Sequence, residues 1–311
     1  MRAFIFPGQG SQAVGMGKAL AEASSIARAV FHEVDDALGQ HLSRLMFEGP
    51  AEELTLTENA QPAIMANAIA TLRVLEKEGG IRLADKADYV AGHSLGEYTA
   101  LCAAGAFDLA TTALLLKHRG QAMQAAVPVG EGGMAALLGA DLTTAQKIAD
   151  AAAEGEVCTV ANDNDPSQVV ISGARAAIDR AIAIAKDYGA KRAIALPVSA
   201  PFHCPMMQPA ADAMDKALAE ARIDAPLVPV FANVTAQPVG DVDTIRRLLV
   251  EQVTGMVRWR ESVLNMADTG VERFIEFGGK VLGPMVKRIA PDVDAVSVVT
   301  MDDIEALAKA L

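Results

Sequence analysis

Gly92-His93-Ser94-Leu95-Gly96 is the pattern with the most obvious chemistry. It falls between a short apolar run ending at Ala91 and an Ala-rich segment from Glu97 to Ala106. That is the strand–turn–helix setting of a nucleophile elbow. Serine at the apex of a sharp turn presents its hydroxyl at a helix N-terminus, where N–H groups and the helix dipole favour developing negative charge. The alternative is a chance match in a chain with 25 glycines. A serine nucleophile needs a base, and only five histidines exist: His32, His41, His93, His118 and His203. His93 is too close to Ser94 in sequence for the two side chains to converge, so it is expected to pack or hydrogen-bond within the elbow. His32 and His41 lie in ordinary helical or connecting sequence. His118 follows the elbow helix, beside Arg119. His203 lies in Ser199-Ala200-Pro201-Phe202-His203-Cys204-Pro205, a loop stiffened by two prolines, and is the expected base.

No acid stands out to orient His203, because the acids between Ser94 and His203 fall mostly in helices and turns. A Ser–His dyad oriented by a carbonyl stays open. Arg119, in Leu115-Leu116-Lys117-His118-Arg119-Gly120, is either a bidentate carboxylate binder or a snorkelling surface residue. The loop Pro7-Gly8-Gln9-Gly10-Ser11-Gln12 is either half of an oxyanion hole or a tight turn.

The elements that must position these residues read as α/β, with short apolar runs alternating with amphipathic segments. Ala3–Phe6 is a strand. Gln61–Glu78 is a helix with Pro62 in its first turn. Asp108 caps a helix reaching about Ala126. From about 130 to 197 the order is strand (133–138), helix (143–153), strand (157–161), a turn at Asn162-Asp163-Asn164-Asp165-Pro166, strand (168–172), helix (174–188) and strand (191–197). This β-α-β-β-α-β order is a ferredoxin-like unit. The expectation is a discontinuous large domain, residues 1–129 and 198–311, with a small domain inserted at 130–197. Helices at 206–221, 245–253 and 259–269 and strands at 228–233, 273–277 and 295–299 complete it.

The 311 residues, 51% hydrophobic and 21% charged, can bury a sizeable core. A net charge of −12 argues against a nucleic-acid binder and against docking on an anionic membrane, a local basic patch within the acidic total being the alternative. No apolar run approaches a membrane span, and no signal peptide is evident. Cys102, Cys158 and Cys204 are sparse and odd in number, which suits reduced thiols in the cytoplasm. No metal, nucleotide or flavin signature occurs.

Taken together, these residues resemble the malonyl-CoA:acyl carrier protein transacylases of fatty-acid synthesis and the acyltransferase domains of megasynthases. The resemblance rests on Phe6–Gln12, Gln61-Pro62-Ala63, Gly92–Tyr98, Arg119-Gly120 with Met123-Gln124, Gly133–Ala136, Pro197–Cys204, Gln252, Val257-Arg258-Trp259 and Glu276–Leu282. It implies an α/β-hydrolase-like core with a short parallel sheet. It implies a ping-pong transfer through malonyl-Ser94, with His203 as base and the backbone carbonyl of Gln252 orienting it. The N–H groups of Gln9 and Leu95 would hold the oxyanion, and Arg119 the malonyl carboxylate. Gln61, His93, Met123 and Phe202 would line the acyl site. Coenzyme A would enter as a thioester substrate with no cofactor, and acyl carrier protein would be the acceptor for a monomeric enzyme.

Phe202 stands where stand-alone bacterial enzymes often carry serine; in megasynthase domains phenylalanine there accompanies malonyl preference, and a bulky ring would narrow the space for an α-methyl branch, so malonyl is expected over methylmalonyl. Gly278-Gly279-Lys280 replaces the usual Gly-Pro-Gly-Lys, a change expected to alter loop stiffness rather than chemistry. Docking of an acidic carrier needs basic residues, for which Lys191-Arg192 and Lys287-Arg288 are the candidates, against the reading of ordinary solvated charges. Rival activities are a serine thioesterase or esterase, and a malonyl transferase serving a polyketide synthase or malonate decarboxylase.

Overall fold

A computed structural model describes residues 1–311. The chain is mixed α/β with two sheets. The first has six strands in the order β10-β9-β1-β2-β7-β8. They are β1 (Arg2–Phe6), β2 (Tyr89–Gly92), β7 (Val230–Ala232), β8 (Gln237–Val239), β9 (Arg273–Phe277) and β10 (Asp294–Val298). All neighbours run parallel except β8, which pairs antiparallel with β7. The expected parallel sheet therefore carries an antiparallel edge.

Side chains of β1 alternate between faces, as a strand buried on both sides requires. Phe4 and Phe6 enter the largest core, against Phe277 and the helices Thr57–Lys77 and Leu109–Ala125. Ala3 and Ile5 enter a second core with Trp259, Val263 and Val286, beneath the helices Trp259–Asp268 and Leu282–Ile289.

The second sheet has the order β4-β5-β3-β6 and is antiparallel between β4 and β5, β5 and β3, and β3 and β6. It comprises β3 (Gly132–Leu138), β4 (Cys158–Asp165), β5 (Gln168–Ala174) and β6 (Arg192–Ala195), with helices Leu142–Ala153 and Arg175–Ile184 between strands. A separate core of 16 buried residues, all between Ala135 and Ala190, fills the space between this sheet and its helices.

Two sequence expectations need correction. Asn162–Asp165 is not a turn but the end of β4, and all four side chains are buried. Three of the four side chains find partners outside the sheet. Asp163 pairs with Arg260 at 2.9 Å, Asp165 with Arg288 at 2.8 Å, and Asn164 Oδ1 lies 2.7 Å from His93 Nε2. Turn propensity is overridden by these long-range contacts and by the pairing of Asn162 with Val257. The second correction concerns Pro62, which lies inside a helix beginning at Thr57 rather than in a first turn. Lacking an N–H, it leaves the Glu58 carbonyl without its intrahelical donor.

No helix is long and apolar enough to cross a membrane.

Candidate active site

Ser94 sits between β2 and the elbow helix Leu95–Ala103, with φ 54° and ψ −112°. Such a conformation costs about 1–3 kcal/mol and needs its surroundings to enforce it. The flanking glycines explain how it fits. A Cβ on Gly92 would lie 1.8 Å from Gly96 O, and one on Gly96 would lie 2.3 Å from Phe6 O. Asn233, after β7, clasps the turn from outside. Its Oδ1 accepts the Ser94 N–H at 2.8 Å and its Nδ2 donates to Gly92 O at 2.7 Å.

Ser94 Oγ lies 2.7 Å from His203 Nε2. His203 Nδ1 lies 2.8 Å from the Gln252 backbone oxygen. A carbonyl can only accept, so Nδ1 carries the proton and Nε2 is free to accept from the serine hydroxyl. Burial, reinforced by the nearby Arg119 charge, pushes His203 down to about 3. The imidazole is therefore neutral at physiological pH, the form a general base needs. No carboxylate touches it.

Arg119 is not a surface residue; it is 1% exposed. Nη1 donates to Gln61 Oε1 at 2.7 Å, and Nη2 to Gln252 Oε1 at 2.9 Å and to Ser94 Oγ at 3.2 Å. Its guanidinium stands 5.6 Å over the Tyr98 ring, and Nε, although buried, has no partner. Gly120 makes this placement possible. A Cβ there would lie 2.5 Å from Glu58 Cα, so the helix Leu109–Ala125 approaches the start of the helix Thr57–Lys77 at the point where Arg119 meets Gln61.

These groups line a cleft of about 370 Å³ between the two sheets. Gln9, Gln61, His93, Leu95, Met123, Phe202 and His203 all reach it. The N–H groups of Gln9 and Leu95 donate to no loop, turn or side-chain acceptor of the chain. His93 is turned away from Ser94: it bonds Asn164 and packs 5.9 Å from Trp259. Met123 Sδ lies 3.7 Å from Gln61 Nε2, and Phe202 is buried beside His203. Gln252 stands behind the cleft rather than in it, completely buried. Of the basic pairs, Lys287 caps the carbonyls of Pro291 and Val293, and Arg288 is paired with Asp165. Lys191 and Arg192 are exposed.

Sequence reasoning missed Asn233 and Glu97. Glu97 is 3% exposed and accepts from Asn233 N at 3.0 Å and Gln252 Nε2 at 2.8 Å. Burial pushes it up to about 7, against the pull of these donors and of Arg119. The available signal was an acid three residues after the serine, in the first turn of an otherwise apolar helix.

A family model described as acyl transferase domain matches residues 3–279. The malonyl CoA-acyl carrier protein transacylase of Escherichia coli (strain K12) is 46% identical over 310 residues, 99% of this chain and 98% of that protein. The crystal structure of acyl-carrier-protein S-malonyltransferase from Bartonella henselae matches with a TM-score of 0.97 at 52% identity, covering 99% of this chain and 98% of that one. A malonyl-transacylase solved in complex with its type II polyketide synthase acyl-carrier protein matches with a TM-score of 0.96 at 38% identity, covering 100% and 99%. With a serine–histidine dyad at an elbow, a buried arginine beside it and similarity running nearly end to end, the chain belongs to the acyl transferase domain family.

Proposed function

We propose that this chain transfers the malonyl group of malonyl-CoA to the phosphopantetheine thiol of acyl carrier protein, through a malonyl-serine intermediate. The observation that carries the reading is the buried guanidinium of Arg119, 3.2 Å from the Ser94 hydroxyl and without a carboxylate of its own. A buried cation is costly unless paired. An acyl group that ends in a carboxylate supplies the missing partner, and an uncharged acyl group does not.

In the first half-reaction Ser94 Oγ attacks the thioester carbon while His203 Nε2 takes the hydroxyl proton. The oxyanion is received by the N–H groups of Gln9 and Leu95. Collapse breaks the C–S bond, and His203 returns the proton to the departing thiolate of coenzyme A. In the second half-reaction the carrier thiol gives its proton to His203 and attacks the malonyl-serine carbonyl, and Ser94 leaves with that proton. The Gln252 carbonyl keeps the imidazole in the required tautomer throughout. Gln61 fixes the Arg119 fork, and Met123 and Phe202 bound the acyl site on its apolar side; the bulk of the Phe202 ring favours malonyl over an α-methyl-branched group. Nothing in these steps calls for a metal or a redox cofactor.

The strand order of the second sheet and its separate core support reading residues 130–197 as an inserted ferredoxin-like domain. Residues 1–129 and 198–311 then form an α/β-hydrolase-like catalytic domain. A cytoplasmic enzyme fits the three unpaired cysteines. Similarity to a polyketide-synthase transacylase favours one further reading, in which the acceptor is a polyketide carrier. Transfer rates from malonyl-Ser94 to fatty-acid and polyketide carrier proteins, measured against loss to water, test the reading. Fast transfer to a carrier supports it, and equal loss with and without carrier makes the chain a hydrolase.

A further inference from the structure

The buried carboxylate of Glu97 has no part in the steps above, yet it is tied to both halves of the site through one side chain. Gln252 Nε2 faces three acceptors: Glu97 Oε2 at 2.8 Å, Ser94 O at 3.0 Å and Asn233 Oδ1 at 3.2 Å. Asn233 Oδ1 is an acceptor by necessity, because it receives the Ser94 N–H. An amide nitrogen is the only end of Gln252 that fits there. The amide oxygen is thereby turned to Arg119 Nη2. Arg119 has no ion pair, and Glu97, one amide away, is the carboxylate whose charge acts on it.

Resting on the transacylase reading, we propose that Glu97 is a positioning residue that holds Arg119 through Gln252 and surrenders its negative charge, by taking a proton, when a carboxylated acyl group pairs with Arg119. Two carboxylates about one buried cation are one too many. The acyl carboxylate is fixed by Arg119, so Glu97 is the group that neutralises. Its proton comes from solvent. Arg119 is the charged group acting on Glu97 from the neighbouring helix; Tyr98 lies beside it on its own helix, and Asn233 and Gln252 face it as neutral donors. Burial already raises Glu97 to about 7, so the exchange falls in the physiological range.

The sign follows. Above pH 7 the free enzyme holds Glu97 ionised, and binding a carboxylated acyl group must take up a proton. The ratio of kcat/KM for malonyl-CoA to that for acetyl-CoA should therefore fall as pH rises, approaching roughly tenfold per unit above about 7.5. Acetyl-CoA carries the same coenzyme and cancels its titration. In Glu97→Gln, which keeps an acceptor oxygen but has no charge to lose, the ratio should be flat. As a check independent of that variant's folding, calorimetry of Ser94→Ala with malonyl-CoA, in buffers of different ionisation enthalpy at pH 7.5, should show uptake approaching one proton. Acetyl-CoA should show none. A flat ratio in the wild-type enzyme, a falling ratio in Glu97→Gln, or no malonyl-specific proton uptake would each overturn the proposal. Failure of malonyl-CoA to acylate the wild-type enzyme would instead remove the transacylase reading on which it rests.

Discussion

Arg119 Nη2 lies 3.2 Å from Ser94 Oγ, on the same hydroxyl that His203 Nε2 engages at 2.7 Å. In the proposed reaction, substrate choice and nucleophilic attack would therefore meet at one atom. A charge at that distance would favour the serine oxygen as it becomes negative and would then meet the carboxylate of the proposed acyl group. Burial, with that charge as the second cause, also keeps the neighbouring imidazole neutral.

Removing Arg119 should abolish preference rather than chemistry. For Arg119→Ala, kcat/KM with malonyl-CoA should fall by the equivalent of about 2–5 kcal/mol, the usual loss for one partner of a buried charge pair. With acetyl-CoA the change should stay within about tenfold. Parallel acylation rates for the two thioesters check this, and an equal loss for both would show that Arg119 serves the serine alone.

The depressed His203 makes a pH prediction. The folded site refuses a proton until about pH 3, whereas the unfolded chain takes one below about 6.5. Acylation by acetyl-CoA should therefore show no histidine limb near pH 6.5. The unfolded state binds more protons between these values, so His203 contributes stability above pH 6.5 that is lost as pH falls toward 3. His203→Gln should flatten that part of the stability profile in urea titrations at pH 4–7, and an unchanged slope would contradict the assignment.

Gly120 tests the link between helix packing and recognition. In Gly120→Ala the new methyl meets the backbone of Glu58, so the arginine helix must shift. A stability loss of about 1–3 kcal/mol is expected from overpacking. The malonyl-to-acetyl preference should fall at least tenfold, because Arg119 moves relative to Gln61 and Ser94. Thermal melting with the two acylation rates measures both, and lost stability with intact preference would separate packing from recognition.

What could be read from the sequence was local. The elbow at Gly92–Gly96, the Pro-stiffened loop of His203 and the order of elements between 130 and 197 follow from turn chemistry and short-range periodicity. Arg119 stayed ambiguous because its helix shows little segregation of apolar and polar residues, and only the close contact at Gly120 reveals which side faces inward. Asn162–Asp165 departs from the expected turn for a related reason: four consecutive Asn and Asp residues favour a turn unless distant partners such as Arg260, Arg288 and His93 hold them. Glu97 and Asn233 acquire meaning only through each other and Gln252, which lie far apart in sequence. The role of Gln252 came from family resemblance, since nothing local distinguishes it in its helix.

The proposed reaction turns on a carboxylated acyl group held on Ser94 and passed to a carrier thiol. Intact-protein mass after brief exposure to malonyl-CoA tests it most directly, with Ser94→Ala and acetyl-CoA alongside, followed by addition of phosphopantetheinylated carrier protein. A malonyl adduct that requires Ser94, is weak with acetyl-CoA and moves to the carrier is the predicted result. A malonyl adduct on Ser94→Ala, or one lost to water as fast as to the carrier, would contradict it.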